Sequence, residues 1–125
     1  MIIDYYPELE EIRGALEATV KDFPYSSCVI AAYVVHDTLG LQPVSGMYAP
    51  TGFSRFSHAW NYDQRRRLYI DLTQDQFSDD RPKICVLPDS IDILQERGAL
   101  SSLFSVPVID DVIARLSFGR QTRTI

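Results

Sequence analysis

Cysteine and histidine are scarce in this chain, two of each among 125 residues. Two cysteines, Cys28 and Cys85, are too few for the disulfide scaffold of a small secreted domain. With His36 and His58 they also lack the paired spacing of a structural zinc site, so no metal and no cofactor is expected. No apolar run approaches the ~20 residues of a membrane-spanning helix. The opening "MIIDYYPELEEIRG" is acidic where a signal peptide is basic, which leads to the expectation of a cytoplasmic protein without a membrane partner. Nor is there an excess of basic charge. Twelve Lys and Arg against 17 Asp and Glu leave a net charge of −5, the wrong sign for neutralising phosphates, so nucleic acid is not an expected partner. Glycine and proline are at ordinary levels, and repeats, low-complexity tracts and linkers are missing. The expectation is a single domain over 1–125, large enough to bury a core unaided.

What is present reads as helices first and strands afterwards. In 7–22, Leu9, Ile12, Leu16 and Val20 recur at steps of three and four behind Pro7, predicting an amphipathic helix that Pro24 terminates. A second helix is expected in "SSCVIAAYVVHDTLG", with Ser26 or Ser27 as N-cap and Gly40 just past its end. It is apolar nearly all round from Cys28 to Val35, as a central buried helix would be. After Gly40 a short strand is expected at 44–48. A hairpin follows, with strands at 57–62 and 67–73 about a turn at 63–66. "KICVLP" reads as a strand, "DSIDILQERG" as a helical turn or two, and "PVIDDVIARLSFG" as a final helix. The class is α+β, with N-terminal helices packed on a small antiparallel sheet.

The hairpin carries a candidate site. A loop centred on Gln64–Arg65 places His58 directly opposite Asp71, and opposed residues of antiparallel strands project to the same face. There a carboxylate fixes the imidazole's tautomer and favours the imidazolium. The nucleophile candidate is Cys28, in the first turn of the second helix. The unpaired N–H groups and positive dipole end of such a turn favour a thiolate. Together the three residues form a Cys–His–Asp set of nucleophile, general acid–base and orienter, with the Cys28 N–H as an oxyanion donor. The remaining candidates have plainer readings. His36 falls roughly 12 Å along the helix from Cys28, too far to serve it. Cys85 reads as core, and Arg65–Arg67 as a solvated turn. Trp60, Tyr62 and Tyr69 alternate with His58 and Asp71, and suit either a packed core or the wall of a substrate groove.

The stretches "SSCVIAAYVVHDTLG", "SHAWNYD" and "LYIDLTQDQF", in that order, resemble the transglutaminase-like superfamily of papain-fold cysteine enzymes, in its short stand-alone bacterial form. The resemblance covers roughly residues 20–90. It implies a papain-like core, Cys28 as nucleophile, His58 as base and Asp71 as orienter; Trp60, Tyr25 and Gln76 are the candidates for contact with substrate. It implies no cofactor; the calcium-binding domains of the larger transglutaminases have no counterpart here. The family's second oxyanion donor is represented only by Tyr25 or Gln42. In the "DQF" tail, Asp75 and Gln76 close a loop beside the site or pin the strand end. The implied activity is that of a cysteine-dependent amide-bond enzyme, a peptidase, glutamine deamidase or transamidase, acting on a protein or peptide substrate through a thioester. Two alternatives stand beside it: an effector or toxin domain that modifies a target protein, and a catalytically inactive fold used as a binding module.

Overall fold

Leu9, Ile12 and Leu16 are fully buried along one face of the first helix, α1, Tyr6–Thr19. Burying side chains of this size stabilises a fold by about 1.5–3 kcal/mol each. The computed structural model describes residues 3–51, 53–101 and 104–120. Beyond α1 it contains α2 (Cys28–Leu39), β1 (Gln42–Tyr48), β2 (Phe56–Asp63), β3 (Leu68–Asp71), a single 3₁₀ turn (Gln74–Gln76), β4 (Cys85–Pro88), β5 (Leu94–Ala99) and α3 (Pro107–Ile113). The class is α+β: among the described residues, three α-helices and one five-stranded antiparallel sheet in the order β4-β3-β2-β1-β5.

Two apolar clusters hold the layers together. Leu68, Ile70 and Leu72 join the helical residues Leu9, Ile12, Leu16, Val34, Val35, Ile109 and Val112 in the larger one. Val44, Tyr48, Trp60, Tyr69 and Leu94 build the smaller, with Phe77 and Leu87 against it. Helix α2 is buried at Ala31, Ala32, Tyr33, Val34, Val35 and Thr38, the central position its all-round apolar sequence predicts. It ends at Gly40, whose φ of 74° lies in the left-handed region that glycine enters without penalty. The Asn61 amide donates to the carbonyls of Ala32 and Leu41 and ties α2 to β2.

Three details depart from expectation. "DSIDILQERG" does not form helical turns; Leu94–Ala99 is strand β5, paired along the free edge of β1. Gly46 makes that pairing possible, because a Cβ there would stand 2.1 Å from the Gln95 carbonyl oxygen and 2.7 Å from the Trp60 ring. Tertiary pairing overrides local helical preference here. The last helix stops at Ile113, short of the predicted 119, and Ser117 turns back to bind Glu11 on α1. The hairpin register is also shifted. Tyr62 pairs with Tyr69 and Asp63 with Leu68, so the loop is Gln64–Arg67, closed by Arg67 at φ 57°. The Asp63 carboxylate anchors the loop by accepting the Arg66 backbone N–H at 3.1 Å and its guanidinium at 3.2 Å. Asp71 therefore falls across from Trp60, one diagonal step from His58. A slip of two residues keeps both side chains on the same face, where a slip of one would have parted them.

Candidate active site

Cys28 is the first residue of α2. Ser27 occupies the N-cap position, yet its hydroxyl donates to the Tyr25 carbonyl at 2.9 Å and makes no side-chain cap. The first-turn N–H groups, which have no intrahelical acceptor, are thus left without a capping oxygen from Ser27. Cys28 is half-buried, flanked by exposed Tyr25 and Val29. The first turn of α2 stands near enough to His58 for Cys28 to act on the charge of the ring.

His58 and Asp71 are both buried, and His58 Nε2 lies 2.7 Å from Asp71 Oδ2. Donors hold this carboxylate on every side. Oδ1 accepts the Thr73 backbone N–H at 3.1 Å and its hydroxyl at 3.3 Å, and Oδ2 accepts the Gln74 amide at 3.1 Å as well as the imidazole. Rings enclose the imidazole. Phe77 stands edge-on with centroids 5.0 Å apart, Tyr48 at 6.2 Å and Trp60 at 5.8 Å. Burial alone would disfavour the charged ring. The charge and hydrogen bond of Asp71, followed by the nearby Cys28, outweigh it and bring the His58 pKa up to about 9. Asp71 takes Nε2, so Nδ1 is the nitrogen left for the thiol; among the described residues Nδ1 makes no well-formed hydrogen bond. Such a contact commonly tightens only when substrate is bound.

Behind Asp71 runs a second line of polar residues. Gln74 is fully buried, and its Oε1 accepts from Arg81 Nε at 2.6 Å and from the Cys85 thiol at 3.5 Å. Burial pushes the Cys85 thiol up to about 12, and the nearby Asp71 charge pushes in the same direction. Cys85 is therefore an inert, buried thiol, as its sequence context indicates. The strand end is pinned to α1 by Arg13, itself buried. Its guanidinium grips both Asp75 oxygens at 2.8 Å, the Leu72 carbonyl at 2.7 Å and the Lys83 carbonyl at 3.2 Å.

The structure thus pairs His58 with Asp71 and leaves Cys28 near enough to act on the charge of His58. Trp60 is 1% exposed and packs beside His58 in the smaller cluster, so it supports the ring instead of walling an open groove. Tyr25 is exposed three residues before Cys28. Gln76 is half-buried at the end of the 3₁₀ turn, its amide nitrogen without a partner among the described residues. Gln42 cannot be an oxyanion donor. It pairs with Tyr62, four residues along β2 from His58 (roughly 13 Å), and lines a cavity of about 480 Å³ with Gln64, Arg65 and Arg66. The "DQF" tail divides its labour: Asp75 holds α1 and Phe77 stacks on Tyr48 at 4.5 Å beside His58. Sequence reasoning missed Thr73, Gln74, Arg81 and Arg13. A polar residue directly after a strand and a lone arginine on the apolar side of α1 were the available signals.

Among the described residues no group of three or more His, Cys, Asp or Glu is placed to hold a metal ion, and no helix is long and apolar enough to cross a membrane. No family model matches the chain, and no curated protein or solved structure is detectably similar to it.

Proposed function

We propose that the chain is a small cysteine-dependent amide-bond enzyme, built on a papain-like, transglutaminase-like core and acting through Cys28, His58 and Asp71. One observation carries the reading: a buried His58–Asp71 pair at 2.7 Å, its carboxylate held by Thr73 and Gln74, with a half-buried cysteine that opens a helix close enough to favour the charged ring. Neither burial nor fold stability calls for that combination. Breaking a buried ion pair costs stability, yet well-packed apolar residues in its place would hold the core as well, whereas a thiolate–imidazolium pair is a ready nucleophile and acid.

In the first half-reaction the Cys28 thiolate adds to the carbonyl carbon of a peptide or glutamine amide. The negative charge moves to the oxygen, facing the Cys28 N–H and the uncapped first turn of α2. The C–N bond then breaks, the imidazolium of His58 gives its proton to the departing amine or ammonia, and a thioester remains. In the second half-reaction neutral His58 takes a proton from water as the water oxygen attacks the thioester. The C–S bond then breaks, the product leaves as a carboxylic acid that gives its proton to solvent, and the thiolate–imidazolium pair is restored. Water as acceptor makes the enzyme a peptidase or glutamine deamidase; an amine would make it a transamidase. The partial exposure of Cys28 favours water. Asp71 never transfers a proton; it keeps Nδ1 turned toward sulfur and balances the imidazolium.

The rim is apolar. Phe56, two residues before His58 on the same strand face, is exposed and stacks on Phe77 at 5.2 Å; Tyr25 and Val29 are exposed beside Cys28. This suits a protein or peptide substrate with an apolar side chain next to the reacting amide. The test is incubation with a mixed pool of glutamine-containing peptides, read by mass spectrometry. Cleavage products or deamidated glutamines that vanish with Cys28→Ala are expected. A Cys28→Ala variant that processes the pool as the parent does would overturn the reading.

A further inference from the structure

We infer that Gln74 is a positioning residue for the Asp71–His58 pair, its amide locked in the donating orientation by Arg81; this rests on the function proposed above. The oxygen that Gln74 serves, Asp71 Oδ2, is the same one that His58 Nε2 uses, with Gln74 Nε2 at 3.1 Å and His58 Nε2 at 2.7 Å. The other oxygen is held by Thr73 alone. Gln74 therefore fixes the rotation of the carboxylate about its last bond, and with it the plane in which the imidazole is held.

An amide has two ends, and only one suits this place. Flipped, Gln74 would set its oxygen against a carboxylate oxygen, two acceptors without a proton between them. The correct end is enforced from behind. Arg81 Nε, which can only donate, lies 2.6 Å from Gln74 Oε1, and the Cys85 thiol lies 3.5 Å from the same oxygen. Gln74 is fully buried, so solvent does not reach the pair to replace a lost donor. Among the described residues Arg81 makes no ion pair, and its guanidinium charge polarises the amide toward Asp71. The line Arg81–Gln74–Asp71–His58 thus runs from a half-exposed cation to the base without a break.

The experiment measures alkylation of Cys28 by iodoacetamide across pH in the full chain, with Gln74→Glu, Arg81→Met and a His58→Gln control. Gln74→Glu keeps shape but carries a proton only at low pH. While protonated it donates to Asp71 as the amide does; once ionised it repels that carboxylate. Its rate relative to the parent should fall about tenfold between about pH 5 and about pH 8, a break that a purely structural residue has no means to create. Arg81→Met frees the amide to flip and should slow alkylation at every pH. It should also shift the low-field proton resonance of the His58 Nε2–H. Arg81 is half-exposed, so this variant decides the matter if Gln74→Glu does not fold. A His58→Gln protein that alkylates like the parent would refute the proposed function itself. His58→Gln slow, with Arg81→Met and any folded Gln74→Glu tracking the parent at every pH, would refute the positioning role alone.

Discussion

Replacing Asp71 with asparagine tests the site where its chemistry is most exposed. Four donors converge on the Asp71 carboxylate, two on each oxygen. Asparagine has one acceptor oxygen, so its NH₂ must face either the Thr73 N–H and hydroxyl or the His58 and Gln74 nitrogens. Facing Thr73 it opposes a donor. Facing His58 it opposes the Gln74 amide and forces the imidazole to accept at Nε2, turning an N–H toward the thiol. The magnitude follows from His58. Its pKa rises from 6.5 to about 9, worth about 3 kcal/mol, with Asp71 the leading favourable cause. Because the folded value is raised, this stabilisation is complete below about pH 6.5 and is lost as pH climbs through about 9. Asp71→Asn should thus lower stability by about 3 kcal/mol at about pH 6, leaving a folded domain, and the gap should narrow at about pH 10. Cys28 alkylation near neutrality should slow in the same variant. Urea melts at the two pH values and an iodoacetamide time course supply the data. A stability gap equal at both pH values, with unchanged Cys28 reactivity, would refute the reasoning.

Proton NMR of the two histidines should place the His58 midpoint near 9, and Cys28→Ser should move it down, since the thiol is among the groups that raise it; an unmoved midpoint would separate Cys28 from the ring. Iodoacetamide should label Cys28 in the native protein and reach Cys85 only on unfolding, because Cys85 is 3% exposed and its thiol is pushed up to about 12; peptide mapping reads the ratio. Arg13→Met should destabilise by about 3–5 kcal/mol by leaving the half-buried Asp75 unpaired, seen as a lowered urea midpoint. Gly46→Ala should detach β5 from β1, with the clash at Gln95 detected as faster amide exchange along 94–99.

Those elements were legible in sequence whose signal is local. Leu9, Ile12 and Leu16 announce α1, and Gly40 announces the end of α2, because periodicity and a left-handed terminus are set within a few residues. The His58–Asp71 pairing was legible because parity survives error: the predicted loop was off by one position, the pairing by two, and His58 and Asp71 still share a face. Strand β5 was not legible. Its pairing depends on the missing side chain of Gly46, some fifty residues away in sequence. Gln74 and Arg81 were invisible for a similar reason, since a glutamine after "DLT" gains meaning only when β4 brings Cys85 and the Arg81 loop over it. Trp60 could be read as groove or core, and burial beneath the second cluster decides for core.

The central claim is that Cys28 forms a thioester with help from His58. Its most direct measurement is intact-mass spectrometry of the protein quenched in acid during reaction with p-nitrophenyl acetate, followed by peptide mapping. The account predicts one acetyl group, on Cys28, appearing rapidly in the parent and clearing as water attacks. It should form slowly in His58→Gln and be missing in Cys28→Ala. An acetyl group on other residues only, or the same rate of formation on Cys28 with and without His58, would contradict it.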